Sequence, residues 1–180
     1  IAEPDLSECI DHNKRALAWI RAQGNISYII VGSLANTQVV KADGESAYRT
    51  SVNGYLDYWD RLPSTVKHLF VFRDNPRAAR DVMECVLAAP KGHAGQFCAQ
   101  PRSKQLKVDT AADATRAIRR DHASVIDMTN HFCDPSKCFP VIGNVLVYGD
   151  WNHMTRTFGL TLGPFVAEQV NEALDQTTEQ

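Results

Sequence analysis

HLFVFRDNPRAARDVM, residues 68–83, decides the architecture. Its first five residues are apolar apart from His68 and too short for a helix, so they read as a buried strand. The strand runs into a segment in which Pro76 can occupy the first turn of a helix. A strand feeding a helix is half of a parallel βαβ unit, and the same alternation extends in both directions. Upstream, SYIIVGS (27–33) is a β-branched apolar run of strand length, and downstream SVIDM (124–128) and VLVYG (145–149) repeat it. Helical patterns separate them. Residues 5–22 carry Leu6, Ile10, Leu17 and Ile20 on one face, with Asp5 as a cap, Glu8 three residues on and Gly24–Asn25 as a stop. Residues 46–61 and 109–120 follow the same period. A closing stripe of Phe158, Leu162, Phe165, Val166, Val170 and Leu174 has Gly163–Pro164 as its start or a kink.

Strands alternating with helices imply an α/β domain whose parallel sheet is covered on both faces. No linker or repeat interrupts the 180 residues, so a single domain over 1–180 is expected. Its first element is a helix, whereas such folds ordinarily open with a central strand. With 44% hydrophobic and 22% charged residues, the chain can bury a core without help from a metal. A net charge of −2 and a pI near 6.3 give no electrostatic case for nucleic acid or an anionic membrane. No apolar run approaches the roughly 20 residues that cross a bilayer. Nor does a signal-peptide pattern open the chain, so a soluble chain with any targeting segment outside it is expected.

Five cysteines narrow the compartment. Cys133 and Cys138 share a polar loop that Pro135 can turn, and Cys85 and Cys98 bracket the loop-like APKGHAGQF. Zinc is the rival explanation, but the spacings lack the paired C-x₂₋₄-C rhythm of a metal site. Two disulfides are therefore favoured, with an oxidising compartment, no metal and no cofactor. Cys9 is left over, as a free thiol or the mate of a cysteine outside the chain.

In open parallel sheets ligands bind beyond the carboxyl ends of the strands. That rule selects Gly32-Ser33-Leu34-Ala35-Asn36, Arg73-Asp74-Asn75, Asp127-Met128-Thr129-Asn130 and Gly149-Asp150-Trp151-Asn152-His153. In the last, a carboxylate three residues before an imidazole can hold one ring nitrogen while the other faces a hydroxyl nucleophile. Spacing alone favours a capping Asp150 beside a partly buried His153 over that arrangement. Ser33 follows a strand and a glycine, but Leu34-Ala35-Asn36 does not complete the G-x-S-x-G elbow. Arg73 and Asp74 suit substrate contact or an ion pair. Trp151 suits stacking on a sugar or covering the core, and Trp19 and Trp59 suit packing. His12, His68, His93, His122 and His131 form no metal-spaced set and read as surface or structural residues.

VIDMTNHFCDPSKCFPVIGNVLVYGDWNHMTRTFGLTLGPFVAEQV (125–170) and RDNPRAARDVMECVL…QFCAQPRS (73–103) resemble the closing and middle regions of SGNH-hydrolase domains fused to integral-membrane acyltransferases of the cell envelope. The likeness spans roughly residues 67–170 and weakens back to Cys9. It implies a flavodoxin-like, three-layer fold. It further implies O-acyl transfer, of acetyl or another short acyl group, onto an envelope glycan or glycolipid through a Ser-His-Asp acyl-enzyme. Asp150 and His153 would be the acid and base, and Asn36 with Gly32 the oxyanion contacts; Ser33 and Arg73, by their places after strands, are further oxyanion or substrate candidates. An acyl-donating membrane domain upstream and an extracytoplasmic, tethered location come with it. Two rival readings are a secreted carbohydrate O-acyl esterase with the same triad and a non-catalytic glycan-binding or scaffold domain. The family's nucleophile is the serine of a G-D-S motif after the first strand, and no G-D-S occurs here. By the family's layout that strand, its serine and the mate of Cys9 belong upstream of Ile1.

Overall fold

The β-branched runs become strands where the alternation predicts, and the surrounding segments supply their cover. A computed structural model describes residues 3–35, 37–118 and 122–178. In chain order the elements are α1 (Glu3–Gln23), β1 (Tyr28–Gly32), α2 (Ala47–Asp60), β2 (His68–Phe72), α3 (Val82–Ala88), α4 (Ala94–Phe97), β3 (Gln100–Pro101) and α5 (Arg102–Gln105). There follow α6 (Thr110–Ala117), β4 (Ala123–Ile126), α7 (Thr129–Phe132), β5 (Lys137–Cys138), β6 (Val141–Ile142), β7 (Val145–Leu146) and α8 (Arg156–Thr178). The chain forms two units. One comprises Ile1–Phe72, Asp109–Val125 and Thr177–Gln180, the other Arg73–Val108 and Ile126–Gln176.

The first unit holds the parallel sheet, in the order β1-β2-β4. Tyr28 stands opposite His68 and Gly32 opposite Phe72, both strands running the same way. On the other side, the Leu69 N–H bonds the His122 carbonyl at 2.9 Å and the Arg73 N–H bonds that of Ile126 at 3.0 Å. Both chains advance four residues between these bonds, so this pair is parallel too. Leu17 of α1, Trp59 and Leu62 at the end of α2, Leu69 and Val71 of β2, and Ala111 and Ala114 of α6 close the core. The helix ends are satisfied locally. The Ser46 hydroxyl accepts from the Arg49 N–H, and an Asp109 carboxylate oxygen accepts from Ala111 and Ala112. Gly24 leaves α1 at φ +64°, a left-handed position that glycine takes without a Cβ penalty.

Two local expectations shift, and a third, His68 as a surface or structural residue, resolves to structural. Asp5 lies inside α1 rather than capping it, because the helix begins at Glu3. Trp19 is 60% exposed, since the buried stripe of α1 runs through Leu17. His68 is buried, its ring stacked on Phe70 at 4.4 Å with Nε2 3.0 Å from the Ser124 hydroxyl. Desolvation, and secondarily the nearby His122, holds its pKa below the ordinary 6.5.

β1 forms one margin of this sheet, and among the described residues no strand pairs with its outer edge. Tyr28 and Ile30, on the face opposite Ile29 and Val31, are 54% and 68% exposed, unusual for a parallel strand. A groove of about 730 Å³ runs beside it, with His12 and Ala16 of α1, Ile30 of β1, Val39, and Tyr55 and Trp59 of α2 among its walls.

The second unit is built from short elements and two disulfides, Cys85–Cys98 and Cys133–Cys138, as the cysteine spacing predicts. Cys9 is free and exposed. Closing a loop of the Cys85–Cys98 size removes enough unfolded-state entropy to stabilise by about 3 kcal/mol. The β3–β5 pair and the β6–β7 hairpin complete its strands. Gly95 of α4 lies so close to the hairpin that a Cβ there would meet the Val141 carbonyl oxygen at 2.5 Å.

Here too the sequence reading is corrected. The run VLVYG is no strand of the main sheet. Gly143 and Asn144 both have positive φ, 55° and 62°, and this two-residue turn folds Val145–Leu146 back antiparallel onto β6. Pro76 sits buried in an irregular segment, and the helix starts only at Val82. The intervening donors are drawn outward instead, the Arg77 N–H to the Gln105 carbonyl and the Ala78 N–H to that of Trp151. SVIDM stops pairing at Ile126 because Gln169 of α8 takes the Asp127 backbone on both sides, accepting its N–H at 2.9 Å and donating to its carbonyl at 3.1 Å. The closing helix begins at Arg156, after the Thr155 hydroxyl accepts the Phe158 N–H, so Pro164 lies within it rather than at its start.

Trp59 is 2% exposed and touches the heart of the first unit. Trp59→Ala is expected to cost about 3–5 kcal/mol in chemical denaturation. A loss below about 1 kcal/mol would contradict this packing.

Candidate active site

The Asp150–His153 loop is pinned at both ends of a tight turn. Val147 and Tyr148 are buried before it, with Tyr148 packed on Phe132 at 6.2 Å between centroids, and burial pushes the phenol's pKa well above its ordinary 10. The Gly149 N–H bonds the His153 carbonyl at 2.8 Å, and the Thr155 N–H bonds that of Val147 at 2.8 Å. Between these closures Asp150 uses both carboxylate oxygens. Oδ1 accepts the N–H groups of Asn152 and His153, each at 2.7 Å. Oδ2 lies 2.7 Å from His153 Nδ1.

The capping reading and the dyad reading therefore describe the same side chain. Asp150 caps the turn and holds the imidazole. His153 is 78% exposed rather than partly buried, so Nε2 is turned toward solvent. The hydrogen bond from the His153 ring, followed by the two backbone N–H bonds, draws the Asp150 pKa down from 3.8 to about 2. An imidazole bonded through Nδ1 to an ionised carboxylate has a basic Nε2, the arrangement required to take a proton from a hydroxyl and return it to a leaving group.

A second layer fixes this loop from Arg73–Arg80. Asn75 Nδ2 donates to the Asn152 carbonyl at 3.1 Å and to its neighbour Pro76 at 3.1 Å. The Ala78 N–H reaches the Trp151 carbonyl at 2.9 Å. The Arg77 and Arg80 guanidinium carbons lie 5.4 and 4.9 Å from the centroid of the Trp151 ring. Arg73 stands 3.7 Å from Asp127 and Arg77 3.9 Å from Asp74, so both arginines are in ion pairs. Asp127 Oδ1 also accepts the Thr129 N–H at 2.9 Å.

Of the four segments chosen from sequence, three thus meet in the second unit: Arg73–Asn75 touches both Asp127 and the Asp150–His153 loop. Gly32 ends β1 in the first unit and is exposed, Ser33 follows it half-buried, and Asn36 lies outside the described residues. The buttressing role of Asn75, Ala78 and Arg80 escaped the sequence reading, although R-D-N-P-R directly after a strand marked the place. Gln169 left no signal at all, 42 residues from the backbone it clamps. Among the described residues no cluster of His, Cys, Asp and Glu could hold a metal ion.

The family model for the SGNH domain fused to AT3 domains matches residues 2–168. The chain belongs to this family. No curated protein and no solved structure matches it. Membership carries an enzyme role of the acyltransferase or esterase kind and, through the AT3 fusion, association with a membrane. The two disulfides fit an extracytoplasmic place, and none of the described helices is long and apolar enough to cross a bilayer.

The low Asp150 pKa sets a pH window. Its folded value lies below its unfolded one, so the stabilising contribution of the capped turn is complete above about 4 and is lost as pH falls through about 2. Carboxyl NMR should find the Asp150 midpoint near 2. A midpoint at the ordinary 3.8 would show that the Nδ1 and backbone bonds do not persist in solution.

Proposed function

We propose that this domain moves an acetyl or other short acyl group onto a hydroxyl of a cell-envelope glycan or glycolipid, acting as one catalytic domain through an acyl-serine. The observation that carries the reading is the 2.7 Å contact between Asp150 Oδ2 and His153 Nδ1 on an exposed loop. In this scheme His153 Nε2 removes the serine proton as the hydroxyl attacks the donor's acyl carbon. It then protonates the departing group. In the second stage it activates the acceptor hydroxyl, whose oxygen takes the acyl group and frees the serine. Asp150 keeps the ring in the Nδ1–H tautomer and stabilises the imidazolium. Arg73, in the same unit as the dyad, is the candidate for meeting the oxyanion or the substrate, where such a donor contributes a few kcal/mol to the transition state. No cofactor enters this scheme.

The serine, in this reading, is carried outside residues 1–180 on a strand that pairs with the open edge of β1, together with the mate of Cys9. That β1 has no strand on its outer side among the described residues supports that arrangement. The acyl group would come from a membrane domain on the same polypeptide, which would tether the site outside the cytoplasm. The same dyad with water as acceptor gives an esterase, and the exposure of His153 leaves its ring open to water.

A fluorophosphonate probe on the full-length protein should label one serine, and His153→Ala should abolish the labelling. Asp150→Asn should lower turnover about 10⁴-fold while leaving the fold intact. Complete absence of labelling would instead mark a glycan-binding or scaffold domain. The chain of residues 1–180 should be nearly inert on p-nitrophenyl acetate. Turnover that disappears in Ser33→Ala would overturn the placement of the nucleophile elsewhere. A sugar acceptor that leaves release of the acyl group as free acid unchanged would favour the esterase.

A further inference from the structure

Trp151 lies two residues before His153, and its indole is already covered by charge. Arg77 and Arg80 approach the ring at 5.4 and 4.9 Å, which leaves a sugar little reason to stack there. The two arginines differ in what else they hold. Arg77 is paired with Asp74 at 3.9 Å, and both side chains are largely buried, 16% and 13% exposed. Arg80 is exposed, and among the described residues no carboxylate lies within ion-pairing distance of it. Asp150, the nearest acid in the loop's sequence, has both oxygens engaged by the turn and by His153.

We propose that Arg80, laid against Trp151 beside the Asp150–His153 dyad, is a subsite for an anionic group on a saccharide, so that the acceptor is an acidic glycan. This rests on the acyl-transfer reading for its place in the reaction, though not for the binding itself. A guanidinium held near an aromatic ring keeps its five N–H donors in a rigid fork and loses little freedom on meeting a carboxylate or phosphate. Such charge-assisted pairs are roughly twice as strong as neutral hydrogen bonds. The support beneath is fixed by the Ala78 N–H on the Trp151 carbonyl and by Asn75 on the Asn152 carbonyl, which hold the loop against the segment that carries Arg80. An anion seated at Arg80 would anchor its sugar next to the base.

The test follows the Trp151 indole N–H in ¹H–¹⁵N spectra of the full chain, its signal identified by its loss in Trp151→Phe. Trigalacturonate supplies carboxylates, glucose 6-phosphate a phosphate, and maltotriose is the neutral control. At least one of the two anionic sugars should move the signal and bind at least tenfold more tightly than maltotriose, and which one does distinguishes a uronate from a phosphorylated glycan. Arg80→Gln, with its folded state checked by spectral dispersion, should weaken the anionic sugar at least tenfold and leave maltotriose unchanged. Arg80→Lys, which keeps the charge but not the fork, should fall between. Equal binding of charged and neutral sugars, no shift with either anion, or full affinity in Arg80→Gln would each overturn the proposal. Anion binding in a protein that no serine probe labels would keep this subsite and remove the acyl-transfer reading, so the two fail separately.

Discussion

One carboxylate organises the candidate site. Asp150 accepts from two backbone N–H groups with one oxygen and faces the His153 ring nitrogen with the other, all at 2.7 Å. The first two bonds fix the path of the main chain through Trp151 and Asn152, and that path returns the imidazole to the acid that shaped it. Because every contact favours the ionised form, the charge needs no burial to persist, and the side chain stays at a solvent-facing rim. A longer or looser turn would separate the ring from the carboxylate and lose both the orientation and the tautomer.

A single acid could not define the loop alone, and the residues after β2 supply the rest. Strand β2 is followed by Arg73, which is paired with Asp127 just past β4, and the next residues run on to Asn75 and Ala78, which bond the loop of Asp150 and His153. The chain forgoes a helix at Pro76 to spend these donors on a neighbouring loop. The irregular stretch is therefore a brace, with its backbone bonds satisfied laterally rather than along its own axis.

Much of this was legible in the residues. The apolar runs of β1, β2 and β4, the four paired cysteines, and the D-x-x-H spacing each express a local rule, and each rule was satisfied locally. VLVYG failed because strand-forming composition says nothing about the partner, and the turn at Gly143–Asn144 chose β6 over the sheet. Trp19 failed because helical periodicity identifies a stripe but not which bulky residue at its margin loses contact. Gln169 and Asn75 act through backbone groups far along the chain, a relation that no window of sequence contains.

The uncovered margin of β1 has a practical consequence. A row of main-chain donors and acceptors flanked by Tyr28 and Ile30 is a template for any extended polypeptide, another copy of the same strand included. Residues 1–180 handled in isolation would thus tend toward colloidal self-association that grows with protein concentration. Charged gatekeeper side chains introduced at Tyr28 or Ile30 would suppress it.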